Sequence, residues 1–263
     1  MHFKTLFIFI LLFSYACNNN AGKPANENSP HSFTGADTSN ENPYRHISDI
    51  PLPGGFERVA ADPGTFGAWL RNRELKKNKT VYLYNGQPKY NQTAQFAVLD
   101  ISTGDKDLQQ CADAVMRLRA EYFFEKKAFD SIVFFDNNST AYHFSPPYNR
   151  ENFSIYLSRV FGMCGTASLS KQLKHVGSIS EIKIGDVLIR GGSPGHAVIV
   201  MDEATDGSGR KIYMLAQGYM PAQDIHVLKN PLYGFLSPWY LVNDRPLIQT
   251  PEYTFYATEL KRW

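Results

Sequence analysis

The chain has 263 residues, 43% hydrophobic and 14% aromatic, enough for a sizeable core in one large domain or a domain with an appendage. Its 27 Lys and Arg against 25 Asp and Glu give a formal charge of +2. With that balance and no basic cluster, a nucleic-acid partner has no support, and none is expected.

The first residues, MHFKTLFIFILLFSYAC, place basic Lys4 before an apolar run from Leu6 to Phe13 and small Ala16 before Cys17. This pattern predicts an export signal over 1–16, and the apolar run is too short to span a bilayer. Cys17 resembles the lipidated first residue of a bacterial lipoprotein, although Ser14 departs from the usual Leu or Val. That implies an exported chain, anchored by lipid in the cell envelope, with ordinary cleavage near Ala16 and an incidental thiol as the alternative. From Asn18 to Pro43 large apolar residues are nearly absent, so 17–43 is expected to be a lipidated cysteine followed by a flexible tether. The globular part is expected from Tyr44.

Residues 44–104 form an amino-terminal extension. It holds a helix-like piece from Pro63 to Leu75, then TVYLYNG and QFAVLDI, whose alternation predicts strands around an Asn-Gly turn. In DLQQCADAVMRLRAEYFFEKK, Leu108, Cys111, Val115, Leu118 and Tyr122 recur at steps of three and four, which predicts a helix capped by Asp105 or Asp107. SIVFF (131–135) suggests a short strand. An aromatic, Pro-containing insertion near 136–165 is expected to end in a short helix, and TASLSKQLK (166–174) is another helix. The period then becomes strand-like. GDVLIRGG (185–192) and HAVIVMD (196–202) predict two strands joined by a tight turn, with Gly191, Gly192 and Gly195 permitting positive φ. KIYMLAQGY (211–219) and the aromatic carboxy-terminal stretches supply further strand. A helix followed by a strand meander indicates an α+β fold, with the main core over 105–263.

Three features could carry chemistry. Besides Cys17, the cysteines are Cys111 and Cys164, either a disulfide pair or one nucleophile and one packed thiol. A thiol hydrolase needs a cysteine whose thiolate is favoured, a histidine within reach, and a third polar group that fixes the imidazole. Cys111 lies near its helix start, where the dipole lowers a thiol pKa, and an adjacent imidazolium would lower it further. His196 heads a strand, and Gln217 lies late in the next one. Cys164, before another helix, is the competing nucleophile, and His226 is the alternative third member. Asp186 is expected to close a turn rather than act as an acid. No Cys-x-x-Cys or His-Glu-x-x-His occurs, and His143, His175, His196 and His226 lack ligand spacing, so neither metal nor cofactor is expected.

Helix-borne Cys111, then Gly185-Asp186-Val187-Leu188-Ile189, then His196-Ala197-Val198-Ile199-Val200, then a strand ending at Gln217, resembles the papain-like NlpC and CHAP cysteine peptidases and amidases. The resemblance covers about residues 105–245. It implies a helix packed on an antiparallel sheet and a Cys111–His196–Gln217 triad, with the Cys111 backbone N–H and the Gln110 side chain at the oxyanion site. It also implies cleavage of an amide in a peptide or peptidoglycan-like substrate. Gln110-Cys111-Ala112 departs from the family's frequent Asp-Cys-Ser, and the aromatic insertion lengthens the gap from helix to strand. The whole chain also resembles an uncharacterised family of bacterial lipoproteins, which implies a location and no chemistry.

Overall fold

In the computed structural model, which describes residues 40–263, the chain up to Gln172 contributes β1 (Phe56–Arg58), α1 (Phe66–Arg71), β2 (Gln95–Val98), α2 (Cys111–Glu125), β3 (Val133–Phe135), β4 (Ala141–His143), α3 (Arg150–Met163) and α4 (Thr166–Gln172). The regular elements after it are mostly strands: β5 (Lys174–His175), β6 (Val187–Arg190), β7 (His196–Asp206), β8 (Lys211–Gln217), β9 (His226–Leu228), β10 (Trp239–Leu241), β11 (Leu247–Gln249), β12 (Thr254–Tyr256) and β13 (Leu260–Arg262). The signal, Cys17 and most of the expected tether lie outside the described residues. The packed unit begins ahead of Tyr44, because Glu41 pairs with Asn78 and Asn42 is buried, with its backbone N–H on the Lys77 carbonyl.

One nine-stranded sheet organises the unit, in the order β2-β9-β8-β7-β6-β13-β5, with β1 paired to β7 and β10 to β8. Every pairing in it is antiparallel. Two hairpins, β3–β4 and β11–β12, stand apart from it. The result is a mixed α and β fold with a large antiparallel sheet and few helices.

The central strands are apolar at successive positions because both faces are covered. Val187, Ile189, Ala197, Ile199 and Met201 face a core that includes α2 and α3 residues. Their alternates Leu188, Val198 and Val200 face a second core with Ile248, Phe255 and Leu260 from the carboxy-terminal strands. Each buried aliphatic side chain contributes roughly 1.5–3 kcal/mol, so this double burial anchors β6 and β7 as the rigid centre. The extension joins the same sheet: β2 runs beside β9, with Gln95 opposite Leu228 and Val98 opposite His226. The insertion packs inward too, through Phe144 and Phe153 against Phe124 of α2.

Several local expectations are corrected. The first helix spans only Phe66–Arg71, because Thr65 caps it by accepting the Ala68 N–H. TVYLYNG keeps its Asn-Gly turn, yet its flanks make isolated bridges, Tyr82 to Pro88 and Leu83 to Gln223, instead of a strand ladder. Pro88 has no N–H to donate, which limits the ladder there. The helix in the insertion is long, Arg150–Met163, with Asn149 accepting the Asn152 N–H at its start. Neither Asp105 nor Asp107 caps α2. Gln110 is the extended residue before the helix, and Asp113 accepts its N–H at 3.0 Å. Asp107 instead accepts the Ala222 N–H at 2.6 Å and so ties the helix approach to the loop after β8. Asp186 accepts the Lys183 N–H at the turn entering β6, and its buried carboxylate also pairs with the partly exposed Arg262.

Candidate active-site cleft

Cys111 is the first residue of α2, at the end where helix N–H groups have no intrahelical acceptor. The backbone N–H groups of Ala112, Ala197 and Cys111 itself are placed to stabilise a thiolate there. The Ala197 contact ties the helix start to the head of β7, directly beside His196. Gly218 makes the approach possible: a Cβ on it would lie 2.9 Å from the Gln110 carbonyl oxygen and 3.0 Å from the Ala114 Cβ.

Turn geometry seats His196. Among the three glycines before it, only Gly192 has a positive φ, +105°. Gly195 is needed for space instead, since a Cβ would come within 2.3 Å of the Gly192 carbonyl oxygen and 2.5 Å of the Thr166 hydroxyl. The Thr166 hydroxyl donates to the Gly192 carbonyl at 3.2 Å, which fastens the turn to α4. His196 is 2% exposed, and its ring is surrounded by Tyr219, Tyr253 and Phe255 at centroid distances of 4.7, 4.9 and 5.8 Å.

Gln217 lies beside it, with its Oε1 2.8 Å from His196 Nε2. The Gln217 amide nitrogen donates to Glu252 at 2.8 Å and lies 3.3 Å from His226 Nε2. His226 is fully buried behind Gln217, so it adjoins the third group and does not replace it. The Gln110 side chain lines the cleft and donates to Asp107 at 3.2 Å.

Cys111, His196, Gln110 and Cys164 line one cleft of about 390 Å³, together with Asp113, Thr166, Tyr219 and Tyr253. Cys164 terminates α3 and precedes α4, and both cysteines are free thiols in this fold. Among the described residues, no group of three or more His, Cys, Asp or Glu side chains is arranged to hold a metal, and no helix is long and apolar enough to cross a membrane.

The electrostatics differ from the thiolate–imidazolium expectation. Burial pushes the Cys111 thiol above its ordinary value, against the pull of the Ala112 and Ala197 N–H groups. Burial also pushes His196 down to about 4, against its bond to Gln217. Both groups are therefore neutral at rest, and no hydrogen bond joins thiol to imidazole. Cys164 is raised to about 11, mainly by burial, with the carboxyls of Asp136 and Asp113 adding to it.

Three residues of the site escaped the sequence reading. Asp113, pushed up to about 8 by burial, holds a buried Oδ1 with no hydrogen-bond partner among the described residues. Its one signal was its place two residues after the cysteine, where a carboxylate often reaches back to a helix start. Glu252 and Lys89, 2.6 Å apart, lie 163 residues apart in the chain and carried no local signal.

A thiol at a helix start and a neutral histidine at a strand head, sharing one cleft and backed by a buried polar network, define the class of site. The chain belongs to the family described as Domain of unknown function (4846), which matches residues 47–146 and 135–262. No curated protein and no solved structure gives a significant match.

Proposed function

We propose that the chain is a cysteine hydrolase of papain-like, NlpC-type design, exported and lipid-anchored through Cys17, that cleaves an amide bond in a peptide or peptidoglycan-like substrate. The observation that carries the chemistry is the Gln217 Oε1–His196 Nε2 bond of 2.8 Å, behind a cleft that His196 lines together with Cys111 at a helix start. Compartment and substrate class rest on the sequence pattern and the family resemblance.

In this reading Cys111 Sγ attacks the substrate carbonyl carbon as its proton passes to His196, so a neutral pair becomes an ion pair only as the bond forms. The oxyanion is stabilised by N–H groups at the start of α2. His196 then gives its proton to the leaving amine as the C–N bond breaks. Water, deprotonated by the same imidazole, hydrolyses the thioester and releases the acid. In resting enzymes the catalytic hydrogen bonds are often long, and substrate draws them together.

A second reading, a non-catalytic binding protein with the same cleft, is favoured by one observation: Cys111 is buried and its thiol is raised. The experiment that separates the two incubates the full chain, Cys111→Ala and His196→Ala with peptidoglycan fragments and model peptides and measures released amino groups. The hydrolase reading expects release by the parent and at least ~10²-fold less from each variant. Equal release by Cys111→Ala, or binding without release by the parent, overturns it.

A further inference from the structure

Behind His196 runs a chain of hydrogen bonds whose direction is fixed at its far end. His226 Nδ1 lies 2.9 Å from the Asp224 backbone carbonyl oxygen. A carbonyl only accepts, so Nδ1 carries the hydrogen, and in a neutral ring Nε2 is left as an acceptor. The group facing that Nε2, at 3.3 Å, must therefore donate, and it is the Gln217 amide nitrogen. Glu252 imposes the same orientation independently. Its Oε2 is 2.8 Å from that nitrogen, and an ionised carboxylate only accepts.

Burial opposes the charge on Glu252, but the Lys89 ammonium at 2.6 Å and the Asn91 amide at 3.0 Å outweigh it and hold its pKa below the ordinary value. With the nitrogen fixed by two acceptors, Gln217 Oε1 faces His196 Nε2 at 2.8 Å and can only accept. The hydrogen on His196 then sits on Nε2. An isolated glutamine amide could present either end to the ring, and with the other end forward His196 would carry its hydrogen on Nδ1.

We propose that Glu252, held by Lys89 and seconded by His226, is a positioning residue that locks the Gln217 amide and thereby keeps His196 in its Nε2–H tautomer, with Nδ1 as the ring's one basic nitrogen. This rests on the hydrolase reading only for its consequence, since the tautomer itself is a ground-state property. It also assigns work to two segments outside the resemblance. Lys89 comes from the extension outside the resemblance to the NlpC core, and Glu252 from the turn between β11 and β12.

The test uses the full chain with isotope-labelled histidine and long-range nitrogen–proton correlation spectra, with signals assigned through His196→Ala and His226→Ala. The parent should show His196 as a single Nε2–H tautomer and His226 as a single Nδ1–H tautomer. In Glu252→Gln the new amide can donate or accept, and only the longer 3.3 Å contact to His226 is left to orient Gln217, so His196 should show a mixture, and Cys111 alkylation at neutral pH should fall several-fold. Glu252→Asp should restore the single tautomer in part. An Nδ1–H His196 in the parent overturns the proposal, as does an unchanged spectrum in Glu252→Gln. If that variant does not fold, the parent spectrum alone decides. The hydrolase reading fails on a different result: Cys111 alkylation that is unchanged in His196→Ala, whatever tautomer the spectrum shows.

Discussion

The two sides of the cleft are built on opposite principles. On the sheet side, His196, Gln217, Glu252, Lys89 and His226 form a network in which acceptors and donors match. On the helix side, Cys111, Asp113 and Cys164 are buried thiols and a carboxyl, and Asp113 Oδ1 has no partner among the described residues. A fully bonded network inside a protein is rigid, whereas an unpartnered buried polar group holds its free energy in reserve for a ligand. His196 is thus pre-positioned by the fold, and in the proposed hydrolase the Cys111 side is left to be completed by what enters.

The largest break in this contrast should come from Gln217→Leu. It leaves Glu252, His226 Nε2 and His196 Nε2–H each short of a partner, and about 3 kcal/mol of stability should be lost in urea unfolding. Were the loss no more than that of an average surface substitution, the network would not be holding the sheet side together. Next comes Gly195→Ala, where the added methyl meets the Gly192 carbonyl and the Thr166 hydroxyl. The turn must open at a cost of about 2 kcal/mol, and Cys111 alkylation should lose its dependence on His196.

Asp113→Asn sharpens the contrast through pH. The Asp113 carboxyl is raised from 3.8 to about 8 on folding, so the folded state binds the extra proton and stability falls as pH rises across that window. His196 and His226 fall from 6.5 to about 4, so the unfolded state binds more protons between those values and stability rises with pH there. The parent should therefore be most stable near neutrality, losing stability toward acid through the histidines and toward pH 8 through Asp113. Asp113→Asn should remove the alkaline loss, gaining at least about 1 kcal/mol at pH 8, and steepen the acid limb, because between about 4 and 6.5 the Asp113 proton opposes the histidines. Denaturant midpoints measured across pH would contradict the assignment if the variant lost its acid limb instead.

The smallest effect is expected from Cys164→Ala. A small buried sulfur is removed at about 1 kcal/mol or less, and the alkylation rate of Cys111, read by peptide mass spectrometry, should stay the same. A large drop at Cys111 would make Cys164 part of the reactive centre.

Much of the frame was legible in the residues. The change from a three-and-four period around Cys111 to β-branched runs at Val187 and Ala197 located α2, β6 and β7, because periodicity records which faces are buried. The glycines before His196 announced a tight turn, though their reason differed: at Gly195 the constraint is the closeness of Thr166 and not the sign of φ. The Asp107 cap was misjudged because several carboxylates near a helix start satisfy the same local rule, and the loop after β8 took that one.

What the sequence by itself determined is therefore local: the helix that carries Cys111, the strands that carry His196 and Gln217, and the alternation that buries them. Only the tertiary structure decided the charge states and the partners. Desolvation depends on what packs over a group, and the Lys89–Glu252 pair joins residues far apart in the chain. Composition and spacing record neither, because both arise when the extension and the carboxy-terminal hairpin close over the sheet.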